Sequence, residues 1–146
     1  MRLAVLFTIP ALFALACGHA SAQDAQACPA GWPPCGPDRV LDAQEIGRHL
    51  LRAGEGTRIE MTGGTSGRRF VLLLRPDGKL DLSAASGNVG RDWKLEDGKL
   101  CLRAYQNVWG GQFNCGTVQV QGGTAFWVEP AGGSRNRIDK VSFVEP

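Results

Sequence analysis

The chain has 146 residues, of which 43% are hydrophobic and 21% charged, and its formal net charge is +2 at pH 7. This nearly balanced charge excludes a basic field that would attract nucleic acid or an anionic membrane surface. The length fits one domain, and a domain of this size is only modestly stable without cross-links.

The N-terminus predicts export. Arg2 precedes an apolar run from Leu3 to Ala16 that is too short to span a bilayer comfortably. Ala20-Ser21-Ala22 then supplies the small residues that signal peptidase requires, so residues 1–22 are predicted to be a cleaved signal peptide. The mature protein is therefore expected to be periplasmic or secreted, with no transmembrane segment. Lipid attachment at Cys17 is the alternative, because the preceding residues approach the lipoprotein pattern.

Four cysteines follow the predicted signal peptide, an even number in a compartment that favours oxidation. We expect Cys28 to pair with Cys35 inside a Pro-rich arm over residues 23–40, and Cys101 to pair with Cys115 across a turn region. A zinc site built from all four cysteines is the rival interpretation, but such sites normally use closely spaced cysteine pairs. The sequence therefore predicts two disulfides, no metal and no cofactor.

Residues 41–146 are predicted to form a helix followed by a β-barrel. Asp42 and Glu45 have the spacing of a capping box, and Gly54 is a suitable C-terminal stop. We expect about three helical turns between them, with an apolar stripe formed by Ile46, Leu50 and Ala53.

The residues after Gly54 alternate between apolar and polar, with Gly-containing turns at short intervals. This pattern predicts about eight strands in sequential hairpins, an antiparallel meander. Pairing of the last strand, Ile138 to Val144, with the first, Thr57 to Thr62, would remove both exposed edges and close a small barrel. Such a barrel either fills its interior with side chains or holds one small ligand. An open sheet and a two-layer sandwich remain as alternatives.

One segment resembles a known group of proteins. Gly90-Arg91-Asp92-Trp93 leads into Glu96-Asp97-Gly98-Lys99-Leu100-Cys101, with Pro76-Asp77-Gly78 before it and Cys115 after it. This arrangement resembles short exported proteins of Gram-negative bacteria that are grouped as domains of unknown function, and the likeness covers roughly residues 41–128. The resemblance implies a periplasmic location and a lipocalin-like barrel, and it implies no activity and no catalytic residues.

Candidate catalytic residues are few. His49 is the only histidine after the predicted signal peptide, and it lies in the predicted helix, where a surface or packing role is expected. Two carboxylate pairs, Glu96 with Asp97 and Asp77 with Asp81, lie at or beside predicted turns, where aspartate is favoured for backbone hydrogen bonding. A small periplasmic hydrolase with a carboxylate site therefore stays an alternative function.

The aromatic residues give the more specific hypothesis. Phe126 and Trp127 are neighbours on one predicted strand and must point to opposite faces. Phe126 is assigned to the core, together with Phe70, Trp93 and Phe143. An exposed aromatic patch near the Cys101–Cys115 hairpin is predicted from Tyr105, Trp109, Phe113 and Trp127, because aromatic anchors on a rigid hairpin are typical of recognition surfaces.

The function predicted from the sequence is a secreted or periplasmic, non-enzymatic binding or inhibitory module. It would hold a small apolar ligand in the barrel mouth, or bind an envelope protein through the loop around Trp109. A lipid-anchored envelope scaffold, attached through Cys17, is a further alternative. No nucleic-acid partner is expected, since the charge is nearly balanced.

Overall fold

The computed structural model describes residues 32–84, 87–130 and 132–145. The predicted signal peptide, Cys17, Cys28 and most of the Pro-rich arm lie outside these residues. Among the described residues, no helix combines the length and the apolar character needed to cross a membrane.

The described chain is mainly β, as predicted. Eight strands have five or more residues, and two short strands have two residues each. In chain order the elements are β1 (Arg39–Val40), α1 (Ala43–Leu50), β2 (Gly56–Thr62), β3 (Arg69–Leu74), β4 (Leu80–Ala84), β5 (Gly87–Asn88), β6 (Gly90–Glu96), β7 (Lys99–Ala104), α2 (Gln106–Trp109), β8 (Phe113–Gln121), β9 (Thr124–Val128) and β10 (Arg135–Val144).

The strands form one antiparallel sheet in the order β5-β4-β3-β2-β10-β9-β8-β7-β6. The last strand, β10, pairs with β2, the first long strand, with Ile138 opposite Met61 and Val141 opposite Ile59. This pairing confirms the prediction that the two ends of the meander meet. The short strand β1 pairs with the second half of β8, beyond the part that pairs with β7.

The barrel is nearly closed. Its two sides meet at a seam between β4 and β6, which single hydrogen bonds join in place of a continuous ladder. Val89 N donates a hydrogen bond to Leu82 O at 2.9 Å, just before β6 begins. A Cβ atom at Gly90 would lie 2.6 Å from Leu82 N, so the two strands approach this closely only because residue 90 has no side chain. Further along the seam, Trp93 N donates to Gly78 O at 2.9 Å.

Charged side chains reinforce the seam. Lys79, next to β4, places its Nζ 3.0 Å from Oδ1 of Asp92 on β6. Arg103 on β7 binds the other oxygen of the same carboxylate. The hydrogen bonds from Arg103 and then Lys79 hold the pKa of Asp92 below its usual value. A short set of hydrogen bonds and one ion cluster therefore complete the barrel where a continuous strand ladder is missing.

Helix α1 begins with the predicted capping box. Glu45 N donates to Oδ1 of Asp42 at 2.8 Å, and Asp42 N donates to Oε2 of Glu45 at 3.2 Å. The helix ends at Leu50, after about two turns, because Leu51 adopts an extended conformation. The predicted extension to Gly54 is therefore wrong. Of the predicted apolar stripe, Ile46 and Leu50 are buried inside the helix, whereas Ala53 lies beyond the helix end and is exposed.

Helix α1 plugs the barrel end at which β2 begins. Gly47 and Leu51 lie beside Thr57 and Trp93 at that end. From there the interior is filled by buried aliphatic side chains from the helix and the strands, including Ile46, Leu50, Ile59, Met61, Leu72, Leu74, Leu80, Leu100, Leu102, Val118 and Val120. The opposite end, where β2 ends and β3 begins, is not filled in this way.

Candidate functional site

A cavity of about 590 Å³ opens at this second end of the barrel. Its volume lies within the range of about 300–1,000 Å³ that is usual for small-molecule sites. The inner wall is apolar and consists of Phe70, Leu82, Val89, Trp109 and Trp127. Strands β3, β4 and β9, the residue before β6, and helix α2 therefore all contribute to one site.

Trp127 lies behind the apolar wall of the cavity and is 0% exposed. Its indole Nε1 donates a hydrogen bond to Leu100 O at 3.0 Å, which fixes the ring against β7. Gly116 provides the space, since a Cβ atom there would lie 2.6 Å from Cε2 of Trp127. The expectation that Trp127 belongs to an exposed patch is therefore wrong. On β9, Trp127 faces the interior, and Phe126 faces outward beneath the Arg135 guanidinium at 3.8 Å.

Trp109 lies at the edge of the same cavity. It is the last residue of α2, a single helical turn in a segment predicted to be a loop, and Gly110 ends the helix in the left-handed conformation. The side chain is half-buried and packs against the barrel core. Its ring centroid is 6.1 Å from that of Trp127, with 53° between the ring planes. Trp109 is thus the accessible member of a tilted aromatic pair.

The other two residues of the predicted patch lie elsewhere. Tyr105 is 53% exposed, with the Arg91 guanidinium 5.7 Å from its ring centroid. Phe113 is half-buried beside two cations, Lys94 at 4.6 Å and Arg103 at 4.9 Å. Neither residue lines the cavity. The structure therefore brings Trp109 and Trp127 together and leaves Tyr105 and Phe113 apart from them.

The outer part of the cavity is polar and charged. It includes Arg68 and Arg69 from the β2–β3 turn and the start of β3, and Glu129 and Ser134 from the β9–β10 loop. The Arg68 guanidinium makes no ion pair or hydrogen bond with any residue that the structure describes. Sequence patterns do not identify these residues, because the segment from Gly63 to Gly67 is typical of a hairpin tip.

Asn136 is a buried polar residue in this cavity. Its side chain is 4% exposed and lies on β10 between the exposed Arg135 and Arg137, at an inward position. Asn136 Nδ2 donates a long hydrogen bond of 3.4 Å to Oε1 of Glu129. Its Oδ1 accepts no hydrogen bond from a described residue. Asn136 is two residues before Ile138 on the same strand, so the two side chains face the same side of the sheet. A polar residue at such an inward position is the sequence signal that would have identified Asn136.

The rim of the cavity is held together by contacts between two turns. Thr65 Oγ1 lies 3.5 Å from Ser134 Oγ, and Glu129 N donates to Ser134 O at 3.0 Å. Gly64 lies directly against the backbone of Arg135, because a Cβ atom there would be 2.9 Å from its carbonyl carbon. The mouth is therefore shaped by the fold before any ligand enters, as is usual for small-molecule sites.

The candidate carboxylate pairs lie outside this cavity. Asp77 Oδ1 accepts a hydrogen bond from Lys79 N at 3.0 Å, the turn interaction that the sequence favours. Asp81 forms an ion pair with Arg75, and Glu96 forms one with Lys94 at 2.8 Å.

The predicted disulfide between Cys101 and Cys115 is confirmed. It joins directly opposite residues of β7 and β8, whose Cα atoms are 3.9 Å apart. Both sulfur atoms also lie near Glu96, but they are bonded to each other and so do not form a thiolate metal site. Cys35 is also disulfide-bonded, and its predicted partner Cys28 lies outside the described residues.

Together these features define a nearly closed antiparallel barrel, plugged at one end by a helix and bearing an apolar cavity with a charged rim at the other. No protein-family model, no curated protein and no solved structure matches the chain. The resemblance to short exported proteins of Gram-negative bacteria stays a prediction.

Proposed function

We propose that this protein is an exported, non-enzymatic binding protein that holds a small ligand in the cavity at the open end of its barrel. The observation that carries the proposal is the Trp109–Trp127 pair. The Trp109 ring borders a space of about 590 Å³ and packs on the buried Trp127 ring, in a barrel whose other half is filled by aliphatic side chains. Rigid aromatic walls bind apolar ligands at a small entropic cost, because each ring has few rotamers.

The incomplete filling of the barrel supports a binding role. Protein interiors normally pack as densely as organic crystals, and side chains that border an open space forgo dispersion contacts on that side. Leu82 and Val89 border this cavity, although larger side chains at these positions would extend into it. A ligand with an apolar body would supply the missing contacts.

The exported location is supported by the cross-links. Cys101 and Cys115 form a disulfide inside a hairpin, and Cys35 is also oxidised. Stable disulfides are characteristic of the periplasm and of secreted proteins. Together with the predicted signal peptide over residues 1–22, this chemistry favours a protein that acts outside the cytoplasm.

The non-enzymatic role is supported by the placement of the acidic residues. The candidate pairs Asp77 with Asp81 and Glu96 with Asp97 are at turns or in ion pairs on the outside of the barrel. Glu129 is the one carboxylate among the described residues that line the cavity. A two-carboxylate hydrolytic mechanism needs both groups at the same substrate bond.

Native mass spectrometry of the protein purified from the periplasm of an expression host tests this proposal. The informative variant is V89F, which adds a ring to a residue that is 7% exposed and lines the cavity. The matched control is V40F, the same chemical change at an exposed position on β1.

A bound small mass on the wild type and V40F, absent from V89F, is the expected result. Equal retention of that mass by V89F would place the ligand outside the cavity and contradict the proposal. Purification with a stoichiometric protein partner and no small molecule would instead favour the inhibitory role. The first positions to test would then be Tyr105, the N-cap of α2, and Trp109, its last residue.

A further inference from the structure

The charged residues that line the cavity are not balanced. Arg68 and Arg69 carry two positive charges, and Glu129 carries one negative charge. These three are the charged side chains among the described residues that line the site, so the mouth has a net positive charge at pH 7. The excess lies directly outside an apolar wall that contains Trp109 and Trp127.

Arg68 is available to a ligand. Its side chain is exposed and is in no ion pair or hydrogen bond with the described part of the chain. Arg69 also makes no direct ion pair there, although its charge acts on Asp139 of β10. Arg69 is opposite Thr62 on the outward face of β3, near Asp139, so Arg68 is the guanidinium without an acidic partner in the described chain.

Glu129 does not neutralise these arginines directly. Its carboxylate accepts the hydrogen bond from Asn136 Nδ2, and its side chain lies along the β9–β10 loop, where a Cβ atom at Gly133 would be 3.0 Å from Oε2. The carboxylate is therefore turned toward its own loop, and no ion pair joins it to Arg68 or Arg69.

Asn136 provides a built polar contact deeper in the site. It is 4% exposed, lines the cavity and leaves Oδ1 without a donor among the described residues. The oxygen is open to the cavity, because Nε1 of Trp32 is the one buried side-chain atom without a hydrogen-bond partner among the described residues. A donor group on a ligand, or a water molecule that bridges to the ligand, would satisfy it.

We propose that the ligand of this cavity is an amphipathic anion. Its apolar body, a ring system or a short acyl chain, lies against Trp109, which packs on the buried Trp127. Its single carboxylate, sulfate, sulfonate or phosphate group binds Arg68, and Arg69 adds to the positive charge of the rim. This inference rests on the proposed function and specifies the ligand class for the same cavity. A guanidinium group binds a carboxylate, sulfate, sulfonate or phosphate with two parallel hydrogen bonds, so an arginine at the rim selects an anion over a neutral or cationic group.

Two fluorescent probes isolate the charge. Anilinonaphthalene sulfonate and N-phenylnaphthylamine share the same aromatic rings, and only the first carries a sulfonate. Titration of each probe against the purified full-length protein gives two dissociation constants whose ratio reports the preference for the anion. We expect the sulfonate to bind at least about tenfold more tightly in the wild type, the effect of one charge-assisted interaction.

Arginine variants locate the preference. R68Q and R69Q keep much of the length of the side chain and remove its charge. Each is expected to reduce the preference for the sulfonate several-fold and to leave binding of the neutral probe unchanged. R58Q is the matched control, because Arg58 lies on β2 outside the cavity and pairs with Glu60. Thermal unfolding of every variant verifies that the barrel remains folded.

The outcomes separate the two proposals. Equal affinity for both probes in the wild type, or an unchanged preference in both R68Q and R69Q, overturns the anion inference and leaves the binding proposal in place. In that case, tight binding of the neutral probe to the wild type, together with loss of this binding in V89F, would support the cavity as the binding site. If neither probe binds, the anion inference fails, and the native mass spectrum decides the binding proposal independently.

Discussion

The rings of Trp109 and Trp127 have their centroids 6.1 Å apart, but the two side chains have different surroundings. Trp127 is fully buried and hydrogen-bonded to Leu100 O, whereas Trp109 is half-buried at the edge of the cavity. The pair therefore joins the barrel core to the candidate site. Substitution of the inner ring tests mainly the stability of the fold, and substitution of the outer ring tests mainly binding.

Replacement of Trp109 by alanine is expected to weaken binding of either fluorescent probe by about tenfold, since it removes one aromatic wall worth about 1 kcal/mol or more. The measurement is a probe titration of W109A beside Y105A. Tyr105 is an aromatic residue one helical turn away that does not line the cavity. Equal weakening in the two variants would contradict the role assigned to Trp109.

Replacement of Gly116 by alanine is expected to destabilise the protein by about 1–3 kcal/mol, the usual effect of overpacking a core. The added methyl group would lie 2.6 Å from Cε2 of Trp127 and 2.7 Å from Val128 O. Either the backbone or the indole ring, which is hydrogen-bonded to Leu100 O, must therefore shift. Urea denaturation measures the free energy of unfolding.

The matched control for this substitution is G47A on helix α1. A Cβ atom at Gly47 has no atom within 4 Å, so alanine there is expected to stabilise the helix by about 0.5–1 kcal/mol. A Gly116 variant as stable as the wild type would mean that the Trp127 ring does not pack against Gly116.

The prediction of the fold from the sequence succeeded where the signal was periodic and local. Alternating strands, glycine turns and the Asp42–Glu45 capping box specify the helix start and the meander, and the need to remove sheet edges predicts the pairing of β10 with β2. The predicted helix end was wrong because Leu51 is apolar. An apolar residue at this position fits a last helical turn and an extended segment equally well, and Leu51 is extended.

The candidate site was less accessible to sequence reasoning. Strand β9 is apolar on both faces, so alternation alone does not decide whether Phe126 or Trp127 points inward. The decision depends on Gly116, a residue of another strand whose missing side chain makes room for the indole. Arg68 and Asn136 are far apart in the sequence and line the same cavity because the β2–β3 turn lies against the start of β10.

Removal of the confirmed disulfide is expected to lower the free energy of unfolding by about 3 kcal/mol, the chain-entropy value for a loop of this length. The two cysteines are separated by 14 positions, and the C101A/C115A double variant breaks the bond without burying a free hydroxyl. Chemical denaturation of the variant and the wild type under non-reducing conditions measures the difference. A loss well below 1 kcal/mol would show that the ladder between β7 and β8 holds the hairpin without the cross-link.

The ion cluster at the barrel seam predicts a specific pH dependence. Hydrogen bonds from Arg103 and Lys79 lower the pKa of Asp92 in the folded protein below its ordinary value of 3.8. A carboxylate with a depressed pKa stabilises the folded state fully above its unfolded-state pKa, and this stabilisation is lost as the pH falls through the folded-state pKa. The wild type is therefore expected to lose stability as the pH falls below about 3.8.

The D92N variant should lack this part of the acid response. At pH 7 it is expected to be less stable than the wild type by about 1 kcal/mol, the upper part of the range for accessible ion pairs. The measurement is the free energy of unfolding in denaturant at several pH values between 2 and 7, a range that brackets the ordinary pKa of aspartate. D97N is the matched control, since Asp97 is an exposed turn residue in no ion pair with the described chain. If D92N and the wild type lose stability in parallel as the pH falls, Asp92 does not hold the seam between β4 and β6.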